Sequence, residues 1–339
     1  MEATLPDNIF INVIAFAVCL FILMKGADWL IDGSSVVARK LKVSELLIGL
    51  TVVAFGTSLP EFVVSIGSAM QGSAELAYAN VIGSNIANIL LILGATSLIM
   101  PLKSSEEVHS DVYFLMGLVV TFAMVVIAGK SSDMSPFLFE SSLGTIGGLC
   151  LLAFFIGFIV RIHLKRQKGI DEFGGTEDHQ PEDDTSLSKA VFWLVCGLVM
   201  IVAGGELTVQ SAINIAQILN VPESTIGLTI VAFGTSLPEL VASLAAAGKG
   251  KGDMAIGGIL GSNLMNLSFV LGTSATFFPI KINSWGVFDM FIHTAVSVGF
   301  LLLMARRTEK DNLNKQTGII FIILYVAYMT VIGVRDFVT

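Results

Sequence analysis

Charge is scarce in this sequence. Only 14% of its 339 residues are Asp, Glu, Lys or Arg, 54% are hydrophobic, and the mean hydropathy is +0.82. Soluble domains carry about 25% charged residues, so a water-soluble core is excluded and a bilayer protein is implied. Basic residues are outnumbered as well. The 19 Lys and Arg face 27 Asp and Glu, a net charge of −8, which excludes the basic footprint that nucleic acid requires. Cysteine is almost missing: Cys19, Cys150 and Cys196 stand singly in apolar runs. They form neither a disulfide framework nor a CxxC metal pair, and we read them as packing residues. The opening MEATLPDN lacks the basic n-region of a signal peptide, so the first apolar run is expected to be a retained span.

What is present is apolar sequence in long blocks. Segments of about 20 residues or more, enough to cross a bilayer, fall at 9–31, 43–70, 73–99, 110–128, 139–162, 190–216, 223–247, 253–277, 285–304 and 317–334. They are continuous rather than alternating, which excludes β-barrel spans. An all-α membrane protein of ten transmembrane helices is expected. Basic residues then orient it. Fifteen of the 19 fall in loops on the side that carries the connection after the first span. The opposite side has only Lys130, Lys281 and Arg335, and Lys25 lies within the first span. The positive-inside rule makes the basic side cytoplasmic and puts both termini outside. One long polar segment, 163–189, divides the chain into halves 1–162 and 190–339. It reads as a flexible cytoplasmic linker. Its acidic run TEDHQPEDD lacks the spacing and central Gly of an EF-hand loop.

The halves repeat each other. GLTVVAFGTSLPEFVVS at 49–65 matches GLTIVAFGTSLPELVAS at 227–243, and GSNIANILLILG at 83–94 matches GSNLMNLSFVLG at 261–272, all at one offset of 178 residues. The same offset pairs Asp28 with Glu206, Glu45 with Glu223 and Pro101 with Pro279. Repeat regions 43–99 and 223–277 therefore belong to duplicated halves. Each half has five spans, an odd number, so the second inserts upside down: two inverted five-helix repeats, a plan common among secondary transporters.

Each copy carries an acid deep in a span, Glu61 and Glu239. A carboxylate near the bilayer centre costs on the order of 3 kcal/mol on insertion scales. Nearly all basic residues are in loops, so cations from solution are the natural partners. The neighbours fit that role. Thr57 lies four residues before Glu61, and Thr235 four before Glu239, on the same helix face. Pro60 and Pro238 lack an N–H and clash with the carbonyls of Gly56 and Gly234, so the helix should bend there and free carbonyl oxygen around Ala54 and Ala232. In the next span Ser84 and Asn88 share a face, as do Ser262 and Asn266. These are all oxygen ligands, suited to calcium or sodium and unsuited to soft transition metals, since neither repeat contains His or Cys. Bland readings stand beside this one. Small residues at four-residue spacing, such as Ser65, Ser68 and Ser243, are ordinary membrane-helix packing, and a lone intramembrane Glu can be protonated and hydrogen-bonded. Neither requires the same acid in both halves. Asp28 and Glu206 fit a proton site, a helix–helix hydrogen bond or a gate equally well.

GTSLPE followed by GSNxxN, present twice, resembles the two alpha-repeats of the cation/calcium exchanger superfamily, most closely its prokaryotic sodium/calcium exchangers. The resemblance covers essentially the whole chain. It implies ion ligands at Thr57, Ser58, Glu61, Ser84, Asn88 and the Ala54 carbonyl, with counterparts at Thr235, Ser236, Glu239, Ser262, Asn266 and the Ala232 carbonyl. It also implies alternating access, with the first and sixth spans sliding across the rest of the bundle, and a plasma membrane location such as the bacterial inner membrane. Some members carry Asp for one of the two motif asparagines. Here both are amides, which counts against potassium dependence and leaves two central carboxylates. The reading is a sodium/calcium antiporter with no cofactor beyond its transported ions and no protein partner. A calcium/proton antiporter on the same fold is the alternative. A channel would lack uphill transport. A membrane-embedded enzyme would need a nucleophile or metal triad, and HExxH is absent.

Overall fold

The computed structural model describes residues 8–103, 106–130, 139–167, 185–219, 232–305 and 313–338. The protein is nearly all helical. Helix α1 (Ile9–Leu41) starts at Asn8, whose side chain accepts from the Phe10 and Ile11 amides, and ends at Lys42, which takes a left-handed conformation. A bent pair follows, α2 (Glu45–Thr57) and α3 (Leu59–Met70), meeting at 44°. Next come α4 (Ala74–Ile99), α5 (Glu106–Ala128), strand β1 (Ser141–Leu143) and α6 (Thr145–Gln167). The second half has α7 (Leu187–Ile218), a short α8 (Ala232–Gly234), α9 (Leu237–Gly248), α10 (Gly252–Phe277), strand β2 (Ile280–Ile282), α11 (Ser284–Met304) and α12 (Lys315–Val338).

Among the described residues, eight helices are long and apolar enough to cross a bilayer, or nine if α2 and α3 count as one bent span. The seventh of the ten expected spans, 223–247, begins outside the described residues, and only its part in α8 and α9 is seen. The fifth starts later than expected. The apolar residues at 139–143 belong to an antiparallel ribbon, in which Ser141 faces Ile282 and Leu143 faces Ile280. Phe139 and Leu143 are buried there against protein rather than lipid, which is why they resembled the start of a span. Of the linker 163–189, residues 168–184 lie outside the described residues.

Helices α4 and α10 form the centre. The most apolar stretch of α10 is 89% buried by protein, whereas that of α12 is 11% buried and presents Ile319, Ile320, Ile323 and Val326 outward. On a chain this apolar, such an outer face is the one lipid covers. Contacts between the halves recur at related positions. The ribbon joins β1 of the first half to β2 of the second, and a bridge joins Leu102 of the first half to Leu313 of the second. The turns α3–α4 and α9–α10 contain Gly72 at φ 85° and Gly250 at φ 73°, again 178 apart; only glycine adopts that conformation without strain.

Helices α1 and α7, of 33 and 32 residues, pack backbone to backbone. A Cβ on Gly197 would lie 2.5 Å from the Leu30 nitrogen and 2.7 Å from the Gly26 oxygen. Small residues permit such an approach between membrane helices.

Candidate cation-binding site

The doubled segments converge at the core of the helix bundle. Helix α10 lies directly on α2, and a Cβ on Gly257 would come within 2.5 Å of the Leu46 oxygen. That approach brings Ser262 to Thr57, with hydroxyls 3.4 Å apart. The α2–α3 break falls at Ser58 (φ −85°, ψ 4°), and Pro60 sits in the first turn of α3. A second break at Ser236 (φ −88°, ψ 3°) precedes α9 in the same way. Each break sets an acid in the first turn of the helix that follows, Glu61 on α3 and Glu239 on α9.

Both acids are buried, Glu61 at 0% and Glu239 at 2% exposure. Ser58, three residues before Glu61, reaches the Glu239 carboxylate, so the breaks of the two halves meet in one part of the core. The Glu239 Oε1 accepts from Ser58 Oγ at 3.3 Å and from Ser262 Oγ at 3.5 Å. Its Oε2, both Glu61 carboxylate oxygens, Ser236 Oγ and Asn88 Oδ1 are buried with no hydrogen-bond partner among the described residues. Nor do those residues supply a Lys or Arg ion pair to either acid. Buried polar atoms are nearly always satisfied, and a buried unpaired carboxylate is costlier still. Buried carboxylate, amide and hydroxyl oxygens of this kind have the donor set of a hard cation. No group of three or more His, Cys, Asp and Glu occurs among the described residues, so neutral oxygens would complete any coordination shell.

The expected ligands are not equivalent between halves. Thr57, Ser58, Ser84, Asn88, Ser236, Ser262 and Asn266 are all buried. The Ala54 carbonyl accepts from Ser58 N at 3.0 Å and Thr57 Oγ1 at 3.4 Å; what it can offer an ion is lone-pair capacity left over from those bonds. Ala232 opens α8. Thr235 turns its hydroxyl to Asn80 Oδ1, 3.3 Å away. Asn80 in turn donates to Ser65 Oγ at 3.1 Å and to the Glu61 carbonyl at 3.5 Å. The position 178 residues after Asn80 is Gly258, which has no side chain to hold Thr57 in the same way. Asn80 is thus one unmatched residue by which the two halves of the site differ.

Asn80, Asn85, Asn263 and His293 are polar residues the sequence did not single out. Asn85 and Asn263 lay within the quoted motifs, and their bonding to each other, 178 residues apart, was a signal that motif symmetry could have raised. Asn80 and His293 have no counterpart at that offset, and only the packing reveals them. Asp28 is placed: it meets Lys25 at 3.4 Å and Lys249 at 3.5 Å. Glu206 is exposed. All three cysteines are free, and Cys150 is exposed on α6 rather than packed inside.

A family model described as sodium/calcium exchanger protein matches residues 11–163 and 189–334. The chain is 30% identical to the sodium/calcium exchanger MaX1 of Methanosarcina acetivorans, covering 96% of this chain and 99% of that protein. It is 34% identical to the inner membrane protein YrbG of Escherichia coli, covering 86% and 88%. Among solved structures, the sodium-calcium exchanger NCX_Mj superposes with a TM-score of 0.79 at 30% identity, covering 96% of this chain and 100% of that one.

Proposed function

This chain belongs to the sodium/calcium exchanger protein family, and from that premise we propose that it exchanges sodium for calcium by alternating access at the Glu61–Glu239 site. The observation that carries the proposal is the pair of buried carboxylates whose oxygens are mostly unpartnered by protein. Two negative charges balance one Ca²⁺ or two Na⁺, so the two cargoes compete for one set of ligands. Glu61 and Glu239 serve as shared ligands. Thr57, Ser58, Ser84, Thr235, Ser236 and Ser262, with the Ala54 and Ala232 carbonyls, complete smaller sodium positions. Asn88 and Asn266 hold the central ion or its water.

The halves 1–162 and 190–339, joined by a cytoplasmic linker at 163–189, act as inverted repeats, with both termini outside. The matched turns at Gly72 and Gly250 and the reciprocal joining of the halves support that reading. Helices α1 and α7 move as one unit, which their backbone contact favours. Coupling then requires only that sodium and calcium differ in affinity for the two access states.

The test is radiolabelled calcium uptake into sodium-loaded proteoliposomes diluted into sodium-free buffer, with Glu61→Gln alongside. We expect accumulation above the external concentration that depends on internal sodium and is lost in the variant. Uptake driven by an acid interior without sodium would replace this reading with calcium/proton antiport. Purely downhill movement would make the protein a channel.

A further inference from the structure

Two amides, the buried Asn85 and the half-buried Asn263, stand beside the site without a role in it. Asn85 Nδ2 donates to the Asn263 carbonyl at 3.2 Å, and Asn263 Nδ2 donates to the Asn85 carbonyl at 3.4 Å. A backbone carbonyl can only accept, so these bonds fix which end of each side chain is the amino group. Asn263 therefore turns its Oδ1 toward Asn88, whose Nδ2 donates to it at 2.9 Å. The atom left to Asn88 is Oδ1, buried and unpartnered among the described residues. An unrestrained amide can present either end, and its amino end would repel a cation.

The other half differs. Asn266, 178 residues after Asn88, has neither amide atom bonded among the described residues. Asn85, the residue that exchange of the halves would assign to it, directs its amino group to the Asn263 carbonyl and lies 3.5 Å from His293 Nε2. His293 is held from its own helix by Ser297 at 3.3 Å.

We propose that Asn263 is a positioning residue: anchored on the Asn85 carbonyl, it holds the Asn88 amide so that its oxygen, not its nitrogen, faces the transported cation. The arrangement is one-sided in this conformation, with Asn88 oriented as a ligand and Asn266 not. This inference rests on Glu61 and Glu239 forming a cation site.

The test uses the full-length protein in proteoliposomes, with calcium uptake followed over a concentration series. Asn263→Ala should raise the calcium KM about tenfold, the worth of one well-placed hydrogen bond, and leave the maximal rate within about twofold. Asn263→Asp keeps an acceptor for Asn88 Nδ2 but loses the donor to the Asn85 carbonyl, so it should raise KM by no more than Asn263→Ala does. Asn263→Ser, too short to reach, should behave as Ala and replaces it if Asn263→Ala does not fold. In an Asn88→Ala background the Asn263→Ala change should add nothing, since both act through one contact. Additive effects would overturn the proposal in favour of a general packing role. An unchanged KM in Asn263→Ala would also overturn it while leaving the site intact. Glu61→Gln separates the two questions: transport retained there would remove the site and the proposal together.

Discussion

At the scale of single residues, the two central acids are chemically identical but differently supported. Glu239 has Ser58 and Ser262 donating to one oxygen, whereas neither Glu61 oxygen has a partner among the described residues. In the absence of ions, Glu61 is therefore the larger liability, a buried polar group whose lost hydration nothing replaces. Glu61→Gln should raise the thermal unfolding midpoint in sodium- and calcium-free alkaline buffer by several degrees, at roughly 2–4 °C per kcal/mol relieved. Glu239→Gln should raise it less, since its amide oxygen still accepts from both serines. Calcium should stabilise the unsubstituted protein and neither variant, because ligand stabilisation requires binding to the folded state. Scanning fluorimetry of the detergent-solubilised protein measures all three. Equal midpoint shifts in the two variants would mean that the serine contacts do not matter. The acids themselves were legible in the sequence because duplication marks them. The asymmetry around them was not: Ser58 and Ser262 reach Glu239, whereas neither of their counterparts, Ser236 and Ser84, bonds the Glu61 carboxylate among the described residues.

At the scale of elements, the α2–α3 bend is where sequence and structure meet most directly. Pro60 removes the donor that the Gly56 carbonyl would receive, and the helix breaks at Ser58, two residues before it. Pro60→Ala restores that donor. The helix should straighten and displace Glu61, raising the calcium KM about tenfold or more, with no loss of thermal stability. An unchanged KM would show that packing, not proline, makes the bend. Other element features left no trace in the residues. Short π-helical stretches at Gly49–Val53, Asn88–Leu93 and Met265–Val270 adjoin or contain the site residues, yet no proline or turn signal marks them. Wide turns of this kind recur at functional sites, and here they depend on how neighbouring helices dock. Helix ends were similarly hidden: α1 runs to Leu41, ten residues beyond the apolar run that defined it, and the GSSVVA stretch at 33–38 is buried against protein. Close helix contact is also testable. Gly197→Ala would press a Cβ onto the α1 backbone and should cost about 1–3 kcal/mol. Gly67→Ala, where nothing lies within 4 Å, should be neutral or slightly stabilising in the same fluorimetric assay.

At the scale of the whole molecule, the question is what moves. Helices α1 and α7 touch along their backbones and form one slab. That slab is tied to the bundle by Lys249, just past the end of α9, which reaches Asp32 at 2.7 Å and the Asp28 carbonyl at 2.9 Å. The residue 178 positions earlier is Gln71, so the opposite side of the site cannot make the same ion pair. The tie is therefore specific to one arrangement of the slab. Its strength is modest, because Asp32 is 49% exposed and Lys249 26%, and pairs of that kind contribute roughly 0–1 kcal/mol. A contact so weak can be broken in every transport cycle, whereas a covalent bridge at the same place cannot. With Cys19, Cys150 and Cys196 replaced by Ser, the pair Asp32→Cys and Lys249→Cys should still transport. Bridging the two thiols with a short bifunctional thiosulfonate should then abolish sodium-driven calcium uptake, and reduction should restore it. Calcium should still raise the unfolding midpoint of the bridged protein, since its binding oxygens are untouched. If the bridged protein instead exchanged at full rate, α1 would not move against α9 during transport, and access would have to alternate through some other displacement.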